Sequence, residues 1–259
     1  MARIELEKVG VEFHLRKTAQ VTLKEYLLRG MFFRRTADTM TVQALRGIDF
    51  TATDGDRIGV IGHNGAGKST LLKLIAGIYP PTTGTRRIEG NISSLFDITL
   101  GFEEEANGWD NIRYRSYLQG ETPRSVKAKM IEIAEFSELG EFLNVPLRAY
   151  SAGMRIRLAF AIATAANPEV LLIDEILGAG DLAFQLKARE RMKQMMRTAK
   201  LLVLVSHDLE ALPAMCDRTI WMNKGEIAMS GRTAEVIAAY TEQATPRETV
   251  AVGGYHAAA

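Results

Sequence analysis

Apolar and polar residues alternate over residues 2–13 (Ile4, Leu6, Val9, Val11, Phe13), and the alternation resumes at Ala44–Thr51 after an interruption. A two-residue period is that of a half-buried strand, so both stretches are expected as β-structure. Arg57–Ile61 is a short apolar run that ends at a glycine-rich loop, and Lys68–Ala76 then follows helical spacing. Residues 109–166 carry three helically periodic stretches separated by Gly120, Gly140 and Pro146. Val170–Asp174 and Lys200–Ser206 are continuous apolar runs between turn signals, the pattern of strands covered on both faces. A helix expected over Asp181–Ala199 joins them, and strand-helix-strand succession implies a parallel sheet. From Ala244 onward the chain is rich in Pro, Gly and Ala and is expected to be a loose tail over 244–259. No internal repeat is visible.

Composition narrows the class without naming it. Of 259 residues, 47% are apolar and 24% charged, with a net charge of +1. That balance is usual for a folded globular chain and lacks the basic excess of a nucleic-acid-binding domain. The single cysteine, Cys216, rules out a disulfide framework within the chain, and its apolar neighbours make a buried, inert thiol the expectation over a reactive one. No run approaches the roughly 20 apolar residues of a membrane-spanning helix. The N-terminus mixes charge with apolar residues and has no signal-peptide core. Any work this chain does at a membrane is therefore expected from the cytoplasmic surface.

The candidate chemistry begins at Gly62-His63-Asn64-Gly65-Ala66-Gly67-Lys68-Ser69, followed by Thr70. This is G-x-x-x-x-G-K-[ST], with a buried strand before it and a periodic helix after it. Glycines let successive N–H groups turn inward around an anion, and the helix presents its positive N-terminal end to the same phosphates. Lys68 supplies charge for the β- and γ-oxygens of ATP, and Ser69 a hydroxyl for Mg²⁺. A second element, Val170-Leu171-Leu172-Ile173-Asp174-Glu175, delivers two acids at the end of a buried strand. Asp174 suits a Mg²⁺ partner and Glu175 a general base for the attacking water.

Tyr150-Ser151-Ala152-Gly153-Met154, at the head of a long helix, and Ser206-His207-Asp208, at a strand end, narrow the family. Together with the phosphate loop they resemble the ABC ATPases over about residues 2–243. The resemblance implies an α/β fold: a P-loop NTPase core with a parallel sheet, an antiparallel β lobe, and an α-helical subdomain inserted at about 93–160. It implies that Ser151, Ala152, Gly153 and Met154 cap the γ-phosphate held by a second copy, so that a homodimer sandwiches two ATP molecules. Taken alone, Ser151 is a good helix N-cap. His207 matches the switch histidine that holds Glu175 and the water in register. Asp181 falls in the D-loop, which here reads Gly178-Ala179-Gly180-Asp181 where the family has S-A-L-D. Phe13 occupies the position of the adenine-stacking aromatic, and also reads as a core residue. No glutamine stands at the Q-loop, where Asp97 is the nearest match and a third candidate Mg²⁺ contact.

The Y-S-A-G-M signature, the acid in Asp97-Ile98-Thr99-Leu100-Gly101-Phe102 and an early insertion at 15–41 resemble one branch, the ATP-binding subunits of polysaccharide exporters. That branch exports O-antigen, capsule or teichoic acid, which implies two copies of an integral-membrane partner and a peripheral place on the inner face of a bacterial plasma membrane. Within the insertion, Thr22-Leu23-Lys24-Glu25 forms a capping box. Arg16, Lys17, Lys24, Arg29, Arg34 and Arg35 outnumber Glu25 and Asp38. Such an element suits a membrane surface or a transport portal; an ordinary packed surface helix is the alternative. The acidic run Glu103–Glu105 reads as a solvated loop or a docking element. Some exporters of this branch carry a further glycan-recognising C-terminal domain, which is not expected in this sequence, so substrate choice is expected mainly in the membrane partner or in lipid-linked features. Rival assignments are a small-solute transporter motor and an ABC ATPase acting on nucleic acid or ribosomes.

Overall fold

The computed structural model describes residues 1–16, 39–174 and 181–244. Strand β1 (Arg3–Arg16) lies between β2 (Thr39–Thr53) and β4 (Thr83–Glu89) in a three-stranded antiparallel sheet. The side-chain alternation of β1 changes phase between Leu6 and Val9, where its pairing with β2 shifts register and Lys8 takes a left-handed φ of 48°. One inserted residue restores inward-facing side chains after the kink, so Ile4, Leu6, Val9 and Val11 are all buried. The 15–41 insertion falls mostly outside the described residues, while both strands run further toward it than the sequence pattern suggested.

The second sheet has six strands in the order β5 (Ile92–Leu95), β6 (Val170–Asp174), β7 (Leu201–Val205), β3 (Arg57–Ile61), β8 (Arg218–Asn223) and β9 (Glu226–Arg232). All neighbours pair in parallel except β8 and β9. β7 is buried along its whole length and β6 up to Asp174, as their uninterrupted apolar sequences require. Helix α1 (Lys68–Ile75) packs in the core between the two sheets with Leu71, Leu72, Leu74 and Ile75 buried. Helices α5 (Leu182–Thr198) and α6 (Thr233–Ala244) cover the opposite face through Phe184, Ala188, Met195 and Val236.

The helical layer consists of α2 (Gly108–Leu118), α3 (Pro123–Ser137) and α4 (Ala152–Ala163), with two short 3₁₀ turns between α3 and α4. It closes on its own core around Ile112, Ile133, Leu147, Leu158 and Ile162. Where the sequence suggested a helical subdomain from about residue 93, Ile92–Leu95 instead pair with β6 as the edge strand of the parallel sheet. Four helix starts carry a side-chain cap: Asn107, Thr122, Ser151 and Asp181 accept from the N–H groups of Asp110, Ser125, Met154 and Phe184.

Candidate functional site: a phosphate-loop cleft at three strand ends

β6, β7 and β3 are adjacent and parallel, so their carboxyl ends emerge on one edge, the place where open α/β sheets hold ligands. Asp174 pairs with Val205, and Val60 pairs with Val205 from the other side, which puts the three ends in one row. The phosphate loop begins two residues beyond Val60, and His207 stands two residues beyond Val205. A cleft of about 590 Å³ lies over them, lined by Asn64, Gly65, Ala66, Gly67, Lys68, Ser69 and Thr70 together with Asp174 and His207. Residues distant in sequence are brought to one cleft by strand order alone.

The loop needs its glycines for different reasons. Gly62, Gly65 and Gly67 have φ values of 146°, 79° and 104°. A Cβ on Gly62 would stand 2.3 Å from the Met222 carbonyl oxygen, whereas one on Gly65 would meet nothing within 4 Å. Gly62 is thus pressed against β8, while Gly65 opens on the cleft, leaving a cradle that a side chain would fill. The turn between β8 and β9 braces the loop: Gly225 N–H donates to the Ala66 carbonyl at 2.9 Å, and Arg46 N–H to the Gly225 carbonyl at 2.8 Å. His63 adds a second brace, its Nε2 lying 3.0 Å from Asn223 Oδ1. The Lys68 side chain is buried, and its ammonium donates to the carbonyls of Gly62 at 2.7 Å and His63 at 3.1 Å. A cation held inside a ring of backbone dipoles, with Ser69 and Asp174 on the same cleft, fits a polyphosphate and its divalent ion.

Other candidates are placed elsewhere. Phe13 pairs with Val42 and sets its ring edge-on to Tyr79, with centroids 5.1 Å apart; it is not among the cleft-lining residues. Asp97 also stays outside the cleft. Its carboxylate is 2.7 Å from the Lys73 ammonium on α1, which raises the Lys73 pKa through that hydrogen bond, and Asp97 itself adopts a left-handed φ of 50°. Ser151 is exposed at the head of α4, its Oγ accepting from Met154 N–H at 3.2 Å, and neither it nor Ala152, Gly153 or Met154 lines the cleft. Asp181 caps α5 and is ion-paired to Arg157 of the signature helix. Glu175 and Gly178–Gly180 lie outside the described residues.

Cleft-lining residues that sequence reasoning missed are Val42, Gln43, Ala44 and Arg46 of β2, and the turn pair Lys224 and Gly225. The Asn223-Lys224-Gly225 turn, with left-handed φ values at Lys224 and Gly225, was the available signal for the last. The acidic run is more structural than its sequence suggested. Glu104 makes a two-pronged pair with Arg155, one residue past the signature, and Glu105 pairs with Arg148. Cys216 is buried, and burial pushes its thiol up to about 12.

The ABC transporter family model matches residues 45–178, from β2 through the phosphate loop, signature and Asp174 strand. This chain belongs to the ABC transporter family. The O-antigen export system ATP-binding protein RfbE of Yersinia enterocolitica is 40% identical over 231 residues, covering 88% of this chain and 97% of the relative. The O-antigen export system ATP-binding protein RfbB of Myxococcus xanthus is 46% identical over 222 residues, 85% of this chain but 51% of that longer protein. Among solved structures, the dimeric post-hydrolysis state of the ATP-binding cassette MJ0796 with ADP and Pi superposes with a TM-score of 0.65 at 19% identity. It covers 89% of this ABC chain and 98% of its own, and confirms the fold. Membership of this family implies nucleotide binding. No helix among the described residues is long and apolar enough to cross a membrane.

Proposed function

We propose that this protein is the ATP-hydrolysing motor of an ABC exporter for a polysaccharide of O-antigen, capsule or teichoic-acid type, acting peripherally on the inner face of a bacterial plasma membrane with two copies of an integral-membrane partner. The observation that carries the ATPase assignment is the convergence of the phosphate loop, Asp174 and His207 at three neighbouring strand ends. The glycan assignment rests on the likeness to O-antigen export ATP-binding proteins over nearly the whole Yersinia relative.

Lys68 and the loop N–H groups would hold the β- and γ-phosphates, with Ser69 and Asp174 as the Mg²⁺ contacts. Mg²⁺, when bound, neutralises charge on the phosphate oxygens. Glu175, next to Asp174, takes a proton from the attacking water, and His207 orients that pair. The engagement of Asp97 by Lys73 leaves the metal role to Ser69 and Asp174. Phe13, paired with Val42 at the cleft's β2 wall, is the adenine-side aromatic of the site. The exposed Ser151 cap and the N-terminal end of α4 face a nucleotide held by a second copy, which makes the working unit a homodimer with two composite sites.

Glu175→Gln tests this directly. Glutamine keeps shape and hydrogen bonding but cannot accept the proton, so the variant should bind ATP, lose turnover and accumulate as an ATP-bound dimer on size-exclusion chromatography. Cells carrying it in place of the wild type should stop exporting glycan. Hydrolysis within about threefold of wild type would refute the general-base assignment, because such a base contributes about 10²–10⁴ in rate.

A further inference from the structure

α3 ends on a residue whose backbone conformation does not suit it. Glu138, the C-cap of α3, holds a left-handed φ of 57° with ψ of 29°, a conformation that glycine usually supplies at helix ends. A side chain kept at such a position points to a role for that side chain.

The contacts of Glu138 show what the conformation secures. Its Oε1 accepts from the Lys187 ammonium on α5 at 2.7 Å, and its Oε2 from Nη1 of Arg157 on α4 at 3.2 Å. The other arm of the Arg157 fork donates to Asp181, the N-cap of α5. The Arg157 guanidinium lies 5.0 Å from the centre of the Phe184 ring, and the Lys187 ammonium 4.7 Å from that of Phe136. The hydrogen bond from Lys187 holds the Glu138 carboxyl below its ordinary value. One carboxylate thus joins α3 and α4 of the helical layer to α5 of the core.

The joint lies between two functional segments. Arg157 stands six residues after Ser151 on the same helix, and Asp181 seven residues beyond Asp174. A planar fork with both arms engaged is fixed in direction as well as in distance. Without Glu138, Arg157 would turn about Asp181 alone. All four charged groups reach solvent, from 20% exposure at Arg157 to 58% at Asp181, so their pairing contributes little to stability. What it sets is the orientation of the Ser151 end of α4 against the strand end that carries Asp174.

Resting on the composite-site function proposed above, we infer that Glu138 is a positioning residue for hydrolysis. By clamping Arg157 between itself and Asp181, it fixes the angle at which one copy presents Ser151 to the nucleotide of the other. Its loss leaves the fold and the chain's own phosphate cleft intact and impairs the step that needs both copies.

The test uses the full chain as wild type, Glu138→Gly and Glu138→Gln, each also in the Glu175→Gln background. Glycine removes the carboxylate and relieves the left-handed φ; glutamine keeps the length and removes the charge. The melting temperature of Glu138→Gly should be unchanged or raised by up to about 4 °C. Affinity of the single chain for a fluorescent ATP analogue should stay within about twofold of wild type, since no contact to the cleft is lost. In both variants kcat should fall about threefold to tenfold, the range of one or two lost ion pairs that reach solvent. In the Glu175→Gln background, the dissociation constant of the ATP-bound dimer should rise by a similar factor in sedimentation. Wild-type kcat and dimer affinity in both variants overturn the inference while leaving the motor function standing. A Glu138→Gly chain that fails to fold, or melts about 5 °C or more below wild type, overturns it in favour of a structural carboxylate. A tenfold or greater loss of single-chain ATP affinity, read against about 1.4 kcal/mol per decade, overturns it in favour of a role in the chain's own cleft. Wild-type hydrolysis by Ser151→Arg overturns the composite site and this inference together.

Discussion

Gly62→Ala and Gly65→Ala add the same methyl group three residues apart in one loop, yet they should differ sharply in cost. The Gly62 methyl would lie 2.3 Å from the Met222 carbonyl oxygen and 3.2 Å from Ala66 Cβ, so β3 and β8 must separate by roughly 1 Å to restore ordinary contact. Overpacking of that kind costs about 1–3 kcal/mol. Holding alanine at φ 146° adds about 1–3 kcal/mol of backbone strain. At Gly65 there is no clash, and only the left-handed φ of 79° is paid, about 1–2 kcal/mol. Both substitutions stiffen the unfolded chain by the same amount, so their difference reports the native clash together with the difference in backbone strain. Urea unfolding followed by far-ultraviolet circular dichroism, with m checked for constancy, should place Gly62→Ala about 2 kcal/mol or more below Gly65→Ala. Binding of a fluorescent ATP analogue should show the reverse emphasis, with Gly65→Ala folded but weak because its methyl enters the cradle. Equal stabilities within about 0.5 kcal/mol would show that the β3–β8 edge yields freely and that the close-packed account of the loop is wrong.

Ser151→Arg should cripple hydrolysis with little effect on ATP affinity, and mixing it with Lys68→Ala should restore part of the activity, since a mixed dimer concentrates both lesions in one composite site; a large loss of ATP affinity in the single variant would place the motif in its own chain's site. Native Cys216, its thiol raised to about 12, should resist alkylation at pH 8 and react fully in urea; rapid labelling of the native protein would contradict its burial. The Tyr150 hydroxyl donates to the Phe142 carbonyl at 2.6 Å, and burial pushes its pKa up to about 12. Ultraviolet titration should therefore show one phenol ionising late, and Tyr150→Phe should remove it at a stability cost of about 1 kcal/mol. Deleting Thr22–Arg35 behind a short Gly/Ser bridge should preserve basal ATPase and abolish glycan export; persistent export would end the portal role of the insertion, and loss of folding would mark it as a packed structural helix.

The sequence by itself determined the local chemistry of this protein. A phosphate loop is eight consecutive residues whose backbone does the binding, so Gly62–Ser69 announces itself wherever it occurs. The same holds for the buried strands that end at Asp174 and ahead of His207, and for the cap at Ser151, because periodicity and capping are properties of neighbouring residues. That these pieces share a cleft depends on the strand order β6-β7-β3, which the parallel-sheet pattern implied only in outline. What lay wholly beyond the sequence were pairings between distant side chains: Phe13 with Tyr79, Glu104 with Arg155, Asp97 with Lys73, and Arg115 with the Phe102 ring. An aspartate at a metal-ligand position and one held by a lysine on the next helix look identical as letters. Long-range contacts leave no period and no spacing in the chain, and only the packing of one element on another decides which charge meets which.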